Sequence, residues 1–498
     1  MSTYIDIPHH TTINEIISKN YSLSATQYKT FCINNKNCVP LSELLDRELK
    51  RDDLGSEVGS TNYVDDSDYY FIKTKALQPE TMLLDITKES YQAIAPTNFV
   101  QMDLKAGDIL ISKDSNVGEI AILDKDYPNA MLCGAIYRLP ITKYKYYLLA
   151  MIKSELFRQQ IDFLVPRGST IRHGKTKFLE CQIPFPNSNV MDSICYVEYL
   201  MKAIINKEIA IHNKHELILS KIHSELMNNQ TDEPFKYTQP TLNDLLKYDR
   251  MDSCIYSEKF KQKEFLIKNY KYGTSSITDL GFSFVRGNNL AVSVIGKSIY
   301  SDTYHKGFYT LILPKNISKY GTMNKIEYLG NKSKMVKVSK GAIIFGAEGN
   351  EKGRSWIVLD DISETITNFH GLTLYQTHSN IQKSVFIKLF LDYLRSNGMI
   401  DDYATGGNGG SLSIKYWSII PFPNMPDVIE KEIVRLYYNP EQIYNPKGCT
   451  LETFLSYDDK FNNAAGIHEI DLSLKYLQTI LNDALQKIAN DIPLKIIF

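Results

Sequence analysis

An internal duplication constrains the fold of this chain more than any other feature of its sequence. Residues 107–110 form an apolar strand pattern that leads through a polar loop with a glycine into a second apolar run at 120–123. The same order of strand, Gly-rich loop and strand returns at 341–345 and 356–359. Such a match indicates that one architecture is built twice along the chain.

The spacing between the two copies argues against a coincidence of short apolar strings. The segment Ile-Pro-Phe-Pro-Asn occurs late in both copies, and its first proline is Pro184 or Pro421. Gly341 follows Gly107 by 234 residues and Pro421 follows Pro184 by 237, so the offset drifts by only 3 residues. A repeat of about 230 residues is far longer than the roughly 20–50 residues of a solenoid unit, so each copy should be a domain.

A long helix is predicted after each copy. The segment from Ser188 to about Met227 contains neither Gly nor Pro, and its apolar residues alternate four and three positions apart, with Glu208 and His215 as polar exceptions. This is coiled-coil spacing, and a helix of about 39 residues would be about 58 Å long. The predicted seam consists of Val190, Ile194, Val197, Met201, Ile204, Ile211, Ile218 and Ile222.

A partner for this helix is predicted near the end of the sequence. The same spacing recurs at Ile470, Leu474, Leu477, Leu481, Leu485 and Ile488. A shorter helix from Pro426 to about Tyr438 precedes it. About 25 irregular residues, marked by Pro and Gly, are predicted to interrupt this second helical region.

Composition excludes several classes of protein. The 498 residues carry 56 Lys+Arg against 57 Asp+Glu, so no global field marks a nucleic-acid or membrane binder, and such a partner would need local patches. The seven cysteines are scattered without a CxxC pair, which fits neither a disulfide framework nor a zinc knuckle and favours the cytoplasm. We find no signal-peptide pattern and no long apolar run, so no membrane segment is expected.

Signatures of catalysis and of cofactor binding are missing from the sequence. The P-loop, GxGxxG, GxSxG and HExxH templates all fail, and so does the Asn/Asp-Pro-Pro-aromatic motif of adenine methyltransferases. His212, His215 and His223 share a helix but have no companions at ligand spacing, so we interpret them as solvated or seam-edge residues rather than metal ligands. We predict a non-catalytic chain with no metal and no cofactor of its own.

A basic loop is the strongest candidate for a binding function. Residues 167–177 hold four Lys or Arg and three hydroxyl donors beyond Gly168 without one acid, and these are the groups that contact phosphates and base edges. A solvated basic loop is the alternative interpretation. The counterpart at 405–411 has the glycines without the cations, and the second copy instead places Lys352 and Arg354 beside its own Gly-rich loop.

Together these motifs resemble the specificity subunits of type I restriction-modification systems, or the separate specificity chain of related type II systems. In the first copy the family's motifs match at Gly107-Asp108-Ile109-Leu110, Gly118, Gly168-Ser169 and Ile183-Pro184-Phe185-Pro186. In the second copy they match at Gly341, Phe345-Gly346-Ala347-Glu348-Gly349, Lys352-Gly353-Arg354-Ser355, Asn368-Phe369-His370-Gly371 and Ile420-Pro421-Phe422-Pro423. The second copy departs from the pattern at Ala342, which replaces the aspartate.

The resemblance implies an α/β (α+β) fold with two target recognition domains separated by two long antiparallel coiled-coil helices. It divides the chain into recognition domain 1 (1–187), a spacer helix with its linker (188–236), recognition domain 2 (237–424) and a C-terminal helical region that pairs with the spacer (425–498). The implied function is recognition of a bipartite, gapped DNA target.

The implied partners are double-stranded DNA and two DNA adenine methyltransferase subunits docked on the helices, with S-adenosylmethionine expected in that partner. Restriction or translocase subunits are a further option. The candidate DNA-binding residues are Lys113, Arg167, Ser169, Thr170, Arg172, His173 and Lys175 in the first copy and Lys352, Arg354, Asn408 and Ser411 in the second.

Two other classes of function stay open from the sequence. One is a standalone nuclease or transferase with an unfamiliar site, which would turn over substrate by itself. The other is a non-catalytic scaffold of a phage-defence complex that reuses this architecture without reading DNA.

Overall fold

The computed structural model of the chain describes residues 4–165, 173–349, 351–360, 364–406 and 409–498. The chain divides into two compact units. Unit 1 consists of Met1–Ile209, Tyr444–Asn463 and Leu472–Phe498, and unit 2 consists of Ala210–Ile443 and Ala464–Asp471. Both units mix helices with short strands, which confirms the predicted fold class.

Unit 1 begins with short strands and three helices. Its strands are β1 (Ile5–Asp6), β2 (Thr30–Phe31), β3 (Cys38–Pro40), β4 (Tyr70–Ile72), β5 (Tyr91–Ala93), β6 (Ile109–Ser112), β7 (Ile120–Ile122), β8 (Ala130–Leu132), β9 (Ile136–Leu139) and β10 (Gln182–Pro184). Its first helices are α1 (Ile13–Ser18), α2 (Lys145–Lys153) and α3 (Glu155–Leu164).

The strands of unit 1 form small sheets. Strand β6 lies between β7 and β9 and pairs antiparallel with both, so that Leu110 stands opposite Ala121 and Arg138. Strand β4 pairs antiparallel with β5 and parallel with β8. Strands β3 and β10 form a further antiparallel pair. The buried strand, glycine turn and buried strand predicted at 107–123 are thus β6, its loop and β7.

A long helix, α4 (Val190–Asn228), follows β10 and continues into unit 2. The other helices of unit 2 are α5 (Leu242–Tyr248), α6 (Glu258–Lys268), α7 (Val292–Ile295), α8 (Ile381–Ser396), α9 (Met399–Tyr403) and α10 (Asp427–Tyr437). Its strands are β11 (Thr274–Ser275), β12 (Phe282–Arg286), β13 (Ile299–Ser301), β14 (Tyr309–Ile312), β15 (Glu327–Gly330), β16 (Ile343–Gly346), β17 (Ser355–Ile357), β18 (Thr365–Thr367), β19 (Gly371–Gln376) and β20 (Phe422–Pro423).

The sheets of unit 2 repeat those of unit 1. Strand β16 lies between β17 and β19 and pairs antiparallel with both, as β6 does with β7 and β9. Strand β14 pairs antiparallel with β15 and parallel with β18, as β4 does with β5 and β8. The pair β11–β20 corresponds to β3–β10. Strands β12 and β13 extend the two larger sheets of unit 2. The internal duplication predicted from the sequence is therefore confirmed.

The predicted helix seams are buried. Of the seam residues on α4, Ile194, Val197, Met201, Ile204, Ile211, Ile218 and Ile222 are all buried, whereas Val190 is exposed. The six seam residues from Ile470 to Ile488 are also buried and lie on the last helix, α12 (Ile467–Ala489). Burial of this apolar stripe supplies the main driving force for packing these helices.

The pairing of the two long helices is visible inside unit 1. Residues 194–205 of α4 share one apolar core with residues 477–488 of α12. Just before α4, the Asn187 amide donates to the Asp491 carboxylate just after α12, at 2.7 Å. Further along α4, Lys207 Nζ donates to Asn462, five residues before α12 begins, at 2.9 Å. The two helices are therefore antiparallel here, as predicted.

The predicted irregular region before α12 is partly wrong. A further helix, α11 (Leu451–Ala464), occupies much of it, and only the stretch between α10 and α11 is irregular. The Pro and Gly residues up to Gly448 end one helix, but the residues after them bury Phe454 and Phe461 on one face. Tertiary burial thus restores a helix that local turn residues conceal. In the described part of the chain, no helix is both long and apolar enough to cross a membrane.

Candidate functional site

The loop after β6 is closed by backbone hydrogen bonds that favour glycine. The Gly118 N–H donates to the Ser112 carbonyl at 2.8 Å, and Gly118 has a φ of +83°. The Gly174 N–H donates to the Lys113 carbonyl at 2.8 Å, and a Cβ on Gly174 would lie 2.4 Å from Val117 Cγ1. Positive φ and so close an approach both exclude larger residues. The two loops are therefore held against each other.

A carboxylate at this closure holds a lysine and a histidine. Asp114 accepts a hydrogen bond from Lys113 Nζ on one oxygen and contacts His173 Nδ1 at 3.0 Å with the other. The Asp114 side chain is half-buried, whereas that of His173 is 66% exposed. A carboxylate bound to one imidazole nitrogen orients the ring and leaves the other nitrogen available for a partner. We call Lys113, Asp114 and His173 cluster 1.

Unit 2 repeats the backbone closure after β16. The Gly353 N–H donates to the Gly346 carbonyl at 2.8 Å, as Gly118 does to Ser112 in unit 1. The Leu412 N–H donates to the Ala347 carbonyl at 2.9 Å, as Gly174 does to Lys113. The duplication therefore extends from the strands to the loops that connect them.

The carboxylate of this second closure is Glu348, which lies 234 residues after Asp114. One Glu348 oxygen pairs with Arg286 at 3.3 Å, and the other contacts His370 Nδ1 at 2.9 Å. The guanidinium of Arg286 also lies over the Phe369 ring, 5.2 Å from its centroid. His370 is 64% exposed. We call Arg286, Glu348 and His370 cluster 2.

Cluster 2 borders a cleft of about 600 Å³ in unit 2. Glu348, Asn368 and His370 line it together with the Gly-rich loop that ends at Ser411. This loop is closed by hydrogen bonds in both directions between the backbones of Thr405 and Ser411, at 3.0 and 2.8 Å. The structure therefore places the predicted Ser411 beside cluster 2, while Asn408 lies outside the described residues.

The two predicted cations of unit 2 are engaged with the protein. Lys352 Nζ donates to the Gly409 carbonyl at 2.5 Å and pairs with Asp401 at 2.7 Å, and its side chain is only 7% exposed. Arg354 donates to the Ile317 carbonyl at 2.8 Å and forms an ion pair with Glu351. Both side chains hold the loops of the cleft in place, and contact of either with DNA stays a prediction.

Most of the predicted basic loop of unit 1 lies outside the described residues. This concerns Arg167, Ser169, Thr170 and Arg172. Two of the predicted residues that follow, His173 and Lys175, are described and exposed. His173 belongs to cluster 1. Lys175 lies in the turn that follows His173 and has a φ of +48°.

Sequence reasoning missed Asp114, Arg286, Glu348 and His370. One signal could have revealed the two acids, because each stands two residues after the strand of its repeat, at the same offset as the glycines. Arg286 and His370 come from separate segments of the second copy. No local spacing connects them with Glu348, so only the fold brings them together.

The polar exceptions in the helix seam are buried and paired. In unit 1, Glu208 accepts from the Met82 and Leu83 N–H groups at 2.9 and 3.2 Å, and burial raises its pKa to about 7. Beside it, Lys207 pairs with Asp458 at 2.7 Å, and burial lowers the pKa of this lysine to about 8. These contacts explain why charged residues are tolerated in an apolar seam.

The helix histidines contact other residues of unit 2. The ring of His212 stacks on Tyr320, with 4.0 Å between the centroids. His223 Nδ1 contacts the Tyr393 hydroxyl at 3.0 Å. His215 is buried 3.6 Å from Asp392, and burial lowers its pKa. Among the described residues, no group of three or more His, Cys, Asp or Glu side chains is arranged to hold a metal ion.

Comparison with known families finds a similar domain for part of the chain. Residues 55–210 match the family model described as the type I restriction modification DNA specificity domain. This segment contains strands β4 to β10 and cluster 1. The resemblance indicated by the sequence motifs is thereby confirmed over residues 55–210, which are similar to the DNA specificity domain of type I restriction-modification systems.

Solved structures of that class include similar chains. One is the S subunit of the type I restriction-modification system from M. genitalium, which is 13% identical, with 93% of this chain and 97% of that chain covered and a TM-score of 0.39. Another is the HsdS subunit from Thermoanaerobacter tengcongensis, at 11% identity, with coverages of 91% and 97% and a TM-score of 0.25. No curated protein matches the chain.

Proposed function

We propose that this protein is a sequence-specific DNA-binding subunit that recognises a bipartite, gapped target and directs methyltransferase and restriction subunits to it. The observation that carries the proposal is the specificity-domain match over residues 55–210 together with a second copy of the same strands and loops in unit 2. A chain with two recognition domains that differ in their loops is suited to two different half-sites. The chain itself would be non-catalytic.

In this proposal, residues 1–187 and 237–424 are the two target recognition domains. Residues 188–236 form the spacer helix and its linker, and residues 425–498 pair with that helix. The loops differ between the copies, since one carries a run of cations and the other a run of glycines. Different loop chemistry supports different half-site sequences.

The proposed DNA contacts of the first domain are the basic loop and cluster 1. Lys and Arg side chains bind phosphates and fix the register, while Ser, Thr and His side chains are available for base edges. These residues are Lys113, Arg167, Ser169, Thr170, Arg172, His173 and Lys175.

The proposed DNA contacts of the second domain surround its cleft. Asn408 and Ser411 belong to the Gly-rich loop, whose backbone can approach DNA closely because it lacks bulky side chains. We also retain Lys352 and Arg354, although their present contacts support these loops. With a net charge of −1, the chain depends on such local groups, and partner subunits would add nonspecific phosphate contacts.

The proposed partners are two adenine methyltransferase subunits that dock on the long helices. The exposed apolar side chains of α4, such as Leu217 and Met227, and of α12, such as Leu472 and Tyr476, would be available to such a partner. S-adenosylmethionine would be bound by that partner. The seven cysteines are all free thiols, which supports a reducing cytoplasm as the place of action.

The test is selection from a pool of random DNA duplexes. The purified chain, with and without a methyltransferase encoded beside its gene, is incubated with the pool at several salt concentrations, and the bound fraction is sequenced. We expect enrichment of two short motifs at a fixed separation. A bound fraction that stays random with the methyltransferase present would refute the proposal and favour a scaffold.

A further inference from the structure

We infer that cluster 1 and cluster 2 are equivalent specificity-determining sites, each of which reads one base pair of its own half-site through its exposed histidine. This inference rests on the proposed function and adds the residues that read the sequence. The histidines are His173 and His370. Asp114 and Glu348 are positioning residues that orient the two rings.

The acids of the two clusters occupy equivalent positions in the two repeats. Asp114 and Glu348 each lie two residues after an interior strand of a sheet, β6 or β16. Next to each acid, a loop from late in the same copy is bound by one backbone hydrogen bond to the residue before the acid. The two clusters therefore occupy the same position in two copies of one architecture.

The histidine and the cation of each cluster come from different elements in the two units. His173 comes from the loop before β10, whereas His370 comes from the turn before β19. The cations also differ in origin, since Lys113 directly follows β6 and Arg286 lies on β12. Simple inheritance from a common ancestor would keep the same positions. Because the positions differ, the recurrence of a carboxylate that binds one histidine and one cation indicates that both sites require this set of side chains.

Solvent exposure distinguishes the two histidines from their carboxylate partners. Both carboxylates are largely withdrawn from solvent, whereas the histidines are 66% and 64% exposed. By contrast, His215, which packs inside unit 2, is only 5% exposed. A ring that is oriented by a partly buried acid and projects into solvent has a free edge with which to bind a partner. The cleft of about 600 Å³ beside His370 leaves room for that partner.

The chemistry of the oriented ring suggests which bases it reads. In a neutral imidazole whose Nδ1 proton is held by the carboxylate, Nε2 is a hydrogen-bond acceptor. In the major groove, adenine N6 and cytosine N4 are amino donors, whereas guanine O6 and thymine O4 are acceptors. Each histidine should therefore separate the amino bases, adenine and cytosine, from guanine and thymine on the strand that it contacts, because a neutral ring accepts from an amino group at Nε2 and a protonated ring donates to a base oxygen.

The experiment repeats the random-duplex selection with His173→Ala and His370→Ala, using the full chain and its methyltransferase. We expect each variant to lose discrimination at one position of one half-site, by roughly 5- to 100-fold, and to leave the other half-site unchanged. The position lost should separate adenine and cytosine from guanine and thymine in the unsubstituted protein. The two variants should affect different half-sites.

Exposed histidines outside the clusters provide matched controls. His10→Ala serves for unit 1 and His378→Ala for unit 2, because both residues are exposed. Neither control should change the enriched motif. Asp114→Ala and Glu348→Ala should relax the same single positions as their histidine partners, an effect that a purely structural role would not produce.

The outcomes separate this inference from the function on which it rests. Without enrichment by the unsubstituted protein, the proposed function itself fails. Enrichment that is unchanged in both histidine variants, or that weakens uniformly for all sequences, would overturn the inference while the function stands. Thermal unfolding of each variant, expected to match the unsubstituted protein, excludes loss of fold as the cause.

Discussion

Removal of the buried Lys207 side chain should destabilise unit 1 because its partner would stay behind without a cation. Lys207 and Asp458 both have fully buried side chains and lie 2.7 Å apart. Breaking a buried ion pair from one side typically costs about 3–5 kcal/mol. Tyr444 and Asn462 still donate to the Asp458 carboxylate, at 2.8 and 3.0 Å, so we expect the lower end, about 3 kcal/mol, for Lys207→Ala.

The chain offers a matched control for this substitution. Lys177 and Glu180 also lie 2.7 Å apart in unit 1, but their side chains are 50% and 54% exposed. An exposed pair contributes about 0–1 kcal/mol, so Lys177→Ala should have little effect. The two pairs have the same separation but differ in burial, and Lys207 also donates to Asn462, a contact that the exposed pair lacks.

The assay is thermal unfolding followed by differential scanning fluorimetry, with urea midpoints as a second measure. At about 2–4 °C per kcal/mol for a unit of this size, Lys207→Ala should lower Tm by about 6–12 °C. Removing both charges, Lys207→Met with Asp458→Asn, should recover part of the loss, because no unpaired buried charge remains and the amide oxygen can still accept from Tyr444 and Asn462. If Lys207→Ala lowers Tm no more than Lys177→Ala, the reasoning is wrong.

Three further predictions follow from other buried groups and loops. Burial raises the pKa of Glu208 from 4.5 to about 7. The folded state therefore retains a proton that the unfolded state loses, so the free energy of unfolding should fall as the pH rises from about 4.5 to 7. Urea midpoints across this range should fall less steeply in Glu208→Gln. A Cβ at Gly174 would meet Val117 at 2.4 Å, whereas one at Gly59 meets nothing closer than 3.8 Å, so Gly174→Ala should cost about 1–3 kcal/mol in thermal unfolding and Gly59→Ala should cost less than half as much. Lys175 is exposed and is proposed to bind a phosphate, so Lys175→Ala should reduce the salt slope of DNA binding by about 1. Lys352→Ala should weaken binding and reduce the slope by less, because Lys352 is also bound to the loop at Gly409.

The architecture was largely predictable because it depends on patterns that recur along the sequence. The apolar seam of α4 identifies its buried face, and all but Val190 of the predicted residues are buried. The offset between Gly107 and Gly341 identifies the repeat. Both patterns are periodic, since one follows the turns of a helix and the other follows the length of the repeat. A periodic pattern can be recognised in the sequence without knowing which distant segments are in contact.

The details of the candidate site depend on contacts between distant segments. Cluster 2 joins Arg286, Glu348 and His370 through strand pairing, which no local spacing reveals. Lys352 is predicted to bind DNA, and the structure adds that its Nζ donates to the Gly409 carbonyl, a contact that the sequence does not reveal. Charge and loop position indicate that a residue is polar, and only tertiary contacts decide whether its charge is available to a ligand.

The discontinuity of unit 1 in the sequence has a consequence for synthesis. Its first 209 residues emerge early, but the unit also contains Tyr444–Asn463 and Leu472–Phe498. Its apolar core includes Leu477, Leu485 and Phe498. During synthesis, the apolar core of unit 1 therefore stays incomplete after residue 209 until the segments Tyr444–Asn463 and Leu472–Phe498 have been made.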